Sequence, residues 1–213
     1  MSPHLRPAIV ATALLAPLWG APAPPAAACA FDSGSAGLFD GNFVAAHPKA
    51  SVVYFAIVDA VEQGVLDRAA FQPIAPGSSG YWRAVGRVNT LHRLLSAASA
   101  SQPTPAISLL FIESNLWARF EPGPRGIDIA VHTPGARDGD VVIFTSEAGI
   151  AAVLDGRLPV KAALDRGLIA VDGPNSGDRT TDLILAALDA PESSAAGTLN
   201  GQGAPVRFFG PPR

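Results

Sequence analysis

Residues 140–173, with the sequence DVVIFTSEAGIAAVLDGRLPVKAALDRGLIAVDG, decide the fold that we expect for the chain. The β-branched and aromatic run that follows Asp140 predicts a buried strand. Ser146 is a suitable helix N-cap, and the apolar residues after it recur at helical spacing. Gly156 and Gly167 end two successive short helices, because glycine enters the left-handed region without a steric clash. The stretch therefore predicts a strand, a helix, a tight turn, a helix and a strand.

The order of these features resembles the C-terminal half of sterol carrier protein type 2 domains. The resemblance is carried by the first strand, Ser146, the helix ending at Gly156, Pro159, Ala162–Ala163, Gly167, the second strand and Gly173. Domains of that family are small α/β lipid carriers in which a sheet and helices enclose an apolar tunnel. The resemblance implies an α/β fold of the α+β type, with a mostly antiparallel, curved sheet of about five strands packed against helices.

The segment before this stretch alternates apolar and polar residues with the period of a strand. We expect strands over residues 107–113, 116–121 and 127–133, and their short connections favour antiparallel neighbours. Such alternation is typical of a sheet that has one apolar face and one wetter face.

Two further helices are expected on the N-terminal side of the sheet. The first covers residues 51–63 with Ser51 as its cap, and the second covers residues 81–99 with Trp82 directed inward. A last helix, capped by Thr180 or Thr181, is expected after the second strand of residues 140–173, here called the organising stretch.

The length and composition indicate one compact domain with flanking segments. The chain has 213 residues and a formal net charge of −3, so it offers no clustered basic surface and no nucleic-acid partner is expected. The expected boundaries are an export signal at 1–28, a flexible lead-in at 29–50, a single domain at 51–190 and a disordered tail at 191–213. Within the domain, residues 51–100 form the helical part and residues 107–190 form the sheet and helix-pair part.

The N-terminus has the features of an export signal. Arg6 precedes an apolar run over residues 8–19, and a spacer of small residues with several cleavage choices follows. We therefore expect a periplasmic or extracellular protein, whose mature chain contains no transmembrane segment. Cys29, the single cysteine, allows an alternative in which it carries a lipid anchor.

Polar residues offer few arrangements for catalysis. Asp128 and His132 lie four positions apart on one predicted strand and are a candidate pair for general-base catalysis, which Glu113 or Glu147 could join. A solvated strand face explains the same pattern more simply. The chain contains no nucleophile elbow, phosphate-binding loop, dinucleotide fingerprint or paired metal-ligand spacing. We therefore expect no enzyme activity, cofactor or metal.

The apolar surplus is the remaining candidate for function. Each large apolar residue can simply fill the core, but the resemblance implies that some line a ligand cavity beneath the helix pair at residues 146–166. The expected cavity residues are Leu109, Phe111, Trp117, Phe120, Ile129, Phe144, Ile150, Leu154, Leu158 and Leu164.

Three hypotheses follow for function. The first is an exported, non-enzymatic carrier of a lipid, isoprenoid, quinone or sterol-like molecule. The second is a ligandless accessory or scaffold module of an envelope protein assembly. It would dock through Phe39 and Phe43 of the lead-in and Phe208–Phe209 of the tail. The third is an enzyme that uses Asp128 and His132.

Overall fold

The computed structural model describes residues 41–75, 77–100 and 104–190, and the backbone of residues 207–208. The helices are α1 (Gly41–Ala46), α2 (Pro48–Glu62), α3 (Ser79–Ala98), α4 (Glu147–Leu154), α5 (Val160–Asp165) and α6 (Asp178–Asp189). The strands are β1 (Ile107–Phe111), β2 (Leu116–Gly123), β3 (Gly126–Val131), β4 (Val141–Thr145), β5 (Ala170–Asp172) and β6 (Arg207–Phe208).

The strands form one open, mixed sheet in the order β5-β4-β1-β2-β3-β6. The pairs β1–β2, β2–β3 and β4–β5 are antiparallel, whereas β1–β4 and the two-residue pair β3–β6 are parallel. The predicted α+β fold, with a mostly antiparallel sheet of five main strands packed against helices, is confirmed.

The register divides the side chains of the sheet between two faces, because successive residues of a strand point to opposite sides. One face, here called the α2 face, carries the rows Arg119–Ser108–Val142 and Trp117–Leu110–Phe144. The other, here called the α3 face, carries the rows Phe120–Ile107–Val141, Ala118–Leu109–Ile143 and Leu116–Phe111–Thr145.

Ring contacts show which helices cover each face. On the α2 face, the His47 ring lies 5.6 Å from Trp117 and 5.5 Å from Phe144, measured between ring centroids. On the α3 face, the His92 ring of α3 stacks on Phe120 at 6.4 Å. Because α4 and α6 pack against α3, and α5 packs against α4 and α6, the sheet lies between two helical layers.

The organising stretch folds as predicted. The Ser146 hydroxyl accepts a hydrogen bond from the Gly149 N–H at 2.8 Å and caps α4. Gly156 ends α4 with a φ of 70°, and α5 follows after a short turn. Gly173, with a φ of 111°, passes so close to the start of β4 that a Cβ there would lie 2.5 Å from the Asp140 carbonyl oxygen.

The inward stripe of α3 differs from the prediction at its first turn. Trp82 is 57% exposed, and Tyr81 is buried in its place. The helix begins at Ser79, capped by the hydroxyl of Ser78, and its later stripe through Leu91 is buried as expected. The apolar periodicity placed the helix correctly, but two adjacent aromatic residues left its starting phase ambiguous.

Other helix ends also differ from the sequence predictions. Residues 41–50, assigned to the lead-in, form α1 and the first residues of α2, which begins at Pro48 rather than after Ser51. Proline is favoured in the first turn because the N–H that it lacks has no intrahelical acceptor there. The last helix begins at Asp178 with Gly177 as its N-cap, and Thr181 instead donates to the Ser176 carbonyl at 3.1 Å.

Part of the C-terminal tail forms regular structure. Arg207 and Phe208, within the segment predicted to be disordered, pair with Ala130 and Val131 of β3. The other residues of that tail, the export signal and Cys29 lie outside the described residues.

Candidate functional site

The structure places the ten predicted cavity residues on both sides of the sheet. Trp117 and Phe144 share a row on the α2 face. The rows of the α3 face carry Leu109, Phe111, Phe120 and Ile129, and the nearby helix pair carries Ile150, Leu154, Leu158 and Leu164. Because the sheet separates its two faces, one cavity cannot be lined by all ten side chains.

Most of the ten side chains belong to the packed core. Seven of them are at most 3% exposed: Leu109, Phe111, Trp117, Phe120, Ile129, Phe144 and Ile150. The three leucines of the helix pair, Leu154, Leu158 and Leu164, are partly buried and pack against the same core. Ligand contact at these positions stays a prediction, and the leucines mark the accessible margin of the apolar layer.

The polar contacts of the α4–α5 pair are concentrated at the two ends of α4. At its start, Arg83 Nε donates to Glu147 Oε1 at 3.2 Å. At its end, Arg87 makes two hydrogen bonds to the Asp155 carboxylate, at 2.5 and 2.9 Å. Both arginines belong to α3, and Arg87 Nε also lies 3.9 Å from Glu147 Oε1, so ion pairs at both ends hold α4 against that helix.

By contrast, α5 is attached through apolar packing. Within the described part of the chain, its side-chain hydrogen bonds are those between Lys161 and Asp165, one turn apart in the same helix. Val160 and Ala163 are buried, and Leu164 packs against the core. Because apolar contacts are non-directional, this helix can shift without the loss of a side-chain hydrogen bond to a neighbour.

Two acidic side chains meet at the start of α4. Glu113, at the turn between β1 and β2, is buried, and its Oε1 accepts a hydrogen bond from the Glu147 N–H at 2.5 Å. Burial, opposed by backbone hydrogen bonds and assisted by the neighbouring Glu147 charge, raises the pKa of Glu113 to about 8. The Glu113 carboxyl is therefore mainly protonated at neutral pH, while Glu147 is paired with Arg83.

The candidate catalytic pair of Asp128 and His132 is not assembled. Four residues along a strand span about 13 Å, which is too far for a direct hydrogen bond. The backbone leaves the strand at His132, with a φ of 67°, and the His132 ring lies 5.3 Å from the ring of Tyr81. Asp128 is instead the cross-strand neighbour of Glu121. An enzyme built on this pair is not supported.

A buried ion pair that the sequence analysis missed lies on the α2 face. The Asp140 carboxylate accepts hydrogen bonds from Arg119 Nε at 2.9 Å and Nη2 at 3.0 Å, from the Ser108 hydroxyl and from the Arg137 N–H. Burial alone would raise the pKa of Asp140, but these hydrogen bonds lower it below its usual value. The sequence contained a signal for this ion pair. Asp140 directly precedes a buried strand, and Arg119 lies on the wetter face of another strand.

Neither a metal centre nor a bilayer-spanning helix occurs in the part of the chain that the structure describes. Residues 41–75, 77–100 and 104–190 contain no group of three histidine, cysteine, aspartate or glutamate side chains able to hold a metal ion. Over the same ranges, no helix combines the length and apolarity needed to cross a bilayer.

Comparison with known proteins gives a partial structural likeness. No protein-family model matches the chain, and no curated protein sequence matches it. A crystal structure of sterol carrier protein 2 covers 51% of this chain and 95% of its own, with 20% identity and a TM-score of 0.32. The solution structure of a conserved hypothetical protein from Thermus thermophilus, suggested to be a sterol carrier protein, covers 56% and 92%, with 17% identity and a TM-score of 0.31. The fold class given above rests on the strand register and element order of this chain.

Proposed function

We propose that this chain is a non-enzymatic binding protein for an apolar ligand, such as a lipid, isoprenoid, quinone or sterol-like molecule. The ligand would lie between the α3 face of the sheet and the α4–α5 pair. The observation that carries this proposal is the attachment of α5, which lacks side-chain hydrogen bonds to other elements within the described residues. An acyl or isoprenoid chain can therefore replace protein packing contacts at low energetic cost.

The entrance is marked by Leu154, Leu158 and Leu164. These side chains are partly exposed and continuous with the core, so a ligand chain that reaches them passes directly from solvent to apolar surroundings. Each buried methylene contributes about 0.8 kcal/mol, and a chain of ten therefore gains about 8 kcal/mol. That gain is available to offset the packing that is lost when α5 moves.

Binding of cis-parinaric acid, a fluorescent fatty acid, to the full chain tests the proposal. Leu158→Asp should weaken binding by at least about tenfold, because it puts a charge at the apolar entrance. Val65→Asp is the matched control, since Val65 is also a half-buried apolar residue packed on the core but lies after α2. Absence of saturable binding by the wild type, or equal weakening by both variants, would overturn the proposal.

Native mass spectrometry of the purified full chain provides an independent test. We expect a mass increase that corresponds to a co-purified apolar molecule and disappears after organic extraction. A ligand-free chain that also fails to bind the fluorescent fatty acid would contradict the proposal, because it would indicate a core filled by the protein's own side chains.

We also propose that the protein acts outside the cytoplasm, in the periplasm or the extracellular space. The proposal rests on the basic residue, apolar run and small-residue spacer of residues 1–28. Mass analysis of the mature N-terminus tests it. A start near Ala28 supports secretion, a lipid-modified Cys29 supports an anchored form, and retention of Met1 contradicts both.

A second candidate function is an accessory or scaffold module of an envelope assembly. The observation that favours it is the exposure of three large apolar side chains, Val52 and Phe55 on α2 and Trp82 on α3. Crosslinking in the native envelope, followed by deletion of residues 197–213 or by Phe55→Asp, tests this function. A partner that is lost in these variants, from a chain that binds no fatty acid, would favour the scaffold over the carrier.

A further inference from the structure

A small pocket with four charged side chains in its lining lies on the α2 face, on the opposite side of the sheet from α4 and α5. It is lined by β3 and by the side chains of Arg119, Glu121, Asp128, Thr133 and Arg137, and its volume is about 160 Å³. This volume is below the roughly 300–1,000 Å³ of pockets that hold drug-sized ligands, so the pocket suits a ligand much smaller than a lipid.

The floor of the pocket is a fixed guanidinium group. Arg119 Nε and Nη2 bond to Asp140, and Nη1 forms an ion pair with Glu121 Oε2 at 2.5 Å. The Arg119 side chain is only 9% exposed, and bidentate pairing fixes both its position and its plane. The pocket is therefore already formed before a ligand enters.

Thr133 lines this pocket and has a buried hydroxyl without a hydrogen-bond partner among the described residues. Thr133 is 7% exposed, and its Oγ1 makes no hydrogen bond with any described residue. A buried hydroxyl that lacks a partner is unfavourable, and native proteins usually satisfy it. A polar group of a ligand in the pocket would supply the missing hydrogen bond.

Glu121 and Asp128 face each other across the β2–β3 pair. Like charges at directly opposed positions destabilise a sheet. Glu121 Oε2 is already paired with Arg119 Nη1 at 2.5 Å and lies 3.9 Å from Arg137 Nη1. Asp128, by contrast, forms no ion pair with any described residue, so a cation beside Asp128 would complete the charge balance of the pocket. Because no cluster of three metal ligands exists in the described residues, an organic ammonium is the cation that fits. Arg137, 68% exposed at the rim and 3.9 Å from Glu121 Oε2 through its Nη1, has further N–H groups that can bind an anionic group.

We propose that this pocket binds a small zwitterion. Its primary ammonium group lies near Glu121 and Asp128, and its anionic group accepts hydrogen bonds from Thr133 and Arg137. The site is independent of the proposed apolar site, because the sheet separates the two.

Calorimetric titration of the full chain with phosphoethanolamine tests the proposal, with ethanolamine and inorganic phosphate as probes of each half. We expect the zwitterion to bind at least about tenfold more tightly than either half. Thr133→Val should weaken phosphoethanolamine binding about tenfold without lowering the unfolding temperature, because the hydroxyl has no partner in the protein to lose.

Asp138→Asn is the matched control, since it removes a carboxylate from the same loop but does not line the pocket. Its phosphoethanolamine affinity should equal that of the wild type. The proposal is overturned if phosphoethanolamine fails to saturate the chain, if phosphate alone binds as tightly, or if Thr133→Val binds like the wild type.

The same chemistry occurs in a free metabolite and in a lipid headgroup. Co-sedimentation with phosphatidylethanolamine vesicles, absent with phosphatidylglycerol vesicles and reduced by Thr133→Val, would identify the headgroup as the source. Saturable binding of phosphoethanolamine without co-sedimentation would identify a free zwitterion. Both results support the pocket and distinguish its ligand.

Discussion

Replacement of Glu113 by Gln removes the ionisation of a carboxyl that the fold holds at 2% exposure. The Gln side chain keeps an oxygen that can accept the hydrogen bond from the Glu147 N–H, so the local geometry is retained. Burial is the main cause that raises the pKa of Glu113 to about 8. The substitution therefore isolates the titration of one buried acid.

The sign of the effect follows from proton binding. Glu113 has a pKa of about 8 in the folded chain and an ordinary value of 4.5, so the folded chain holds an additional proton between these limits. The wild type should therefore lose stability as pH rises through this window, by about 1.4 kcal/mol for each pH unit. The full effect of this one group is about 5 kcal/mol, which is a large fraction of the stability of a typical domain.

Urea unfolding of the wild type and Glu113→Gln from about pH 5 to about pH 9 measures this effect. We expect similar stabilities near the acid end and a more stable variant near the alkaline end. Glu62→Gln, at an exposed position of α2, should show no such divergence. Parallel stability curves for the wild type and Glu113→Gln would refute the reasoning, because they would show that Glu113 does not titrate differently in the folded chain.

Two further predictions concern the α2 face and the end of β5. Asp140→Asn leaves the Arg119 guanidinium without its buried carboxylate and should lower the free energy of unfolding by about 3 kcal/mol in urea titrations; an unchanged midpoint would contradict this. Gly173→Ala puts a Cβ 2.5 Å from a backbone oxygen and should cost more than about 2 kcal/mol. Gly64→Ala, with a φ of 72° but open surroundings, should cost only about 1 kcal/mol, and equal melting temperatures for the two variants would disprove the steric argument.

Local sequence signals were sufficient for the β4–α4–α5–β5 unit. A β-branched run, the Ser146 cap and the glycines at 156, 167 and 173 each act within a few residues, so their effects are readable without the remainder of the chain. The antiparallel β1–β2–β3 order was predictable for the same reason, since short connections leave few alternatives.

The phase of α3 and the start of α2 were less predictable. Tyr81 and Trp82 are both large and aromatic, and periodicity alone does not decide which of the two faces the core. His47 ends the segment before Pro48, and its ring is held by Trp117 and Phe144, which are distant in sequence. Contacts between residues distant in sequence are not visible to a local pattern. The helical region therefore includes residues 41–46 and 48–50, which the sequence assigned to a flexible lead-in.

The polar sites depended still more on the tertiary structure. The sequence indicated that Asp128 and His132 share a strand, but the distance along that strand and the positive φ at His132 keep them apart. The structure instead brings Glu113 to Glu147, and Arg119 to Asp140, across 34 and 21 positions of the chain.

The sequence by itself determined the element types, the organising unit, most of the sheet order and the apolar character of the interior, because these follow from short-range sterics and from the periodicity of burial. Only the tertiary structure decided which apolar residues share a face, how α5 is attached and where charges meet. Those features arise from the parallel pairing of β1 with β4 and from the two helical layers. Such long-range pairings depend on packing of the whole chain, which no local pattern encodes.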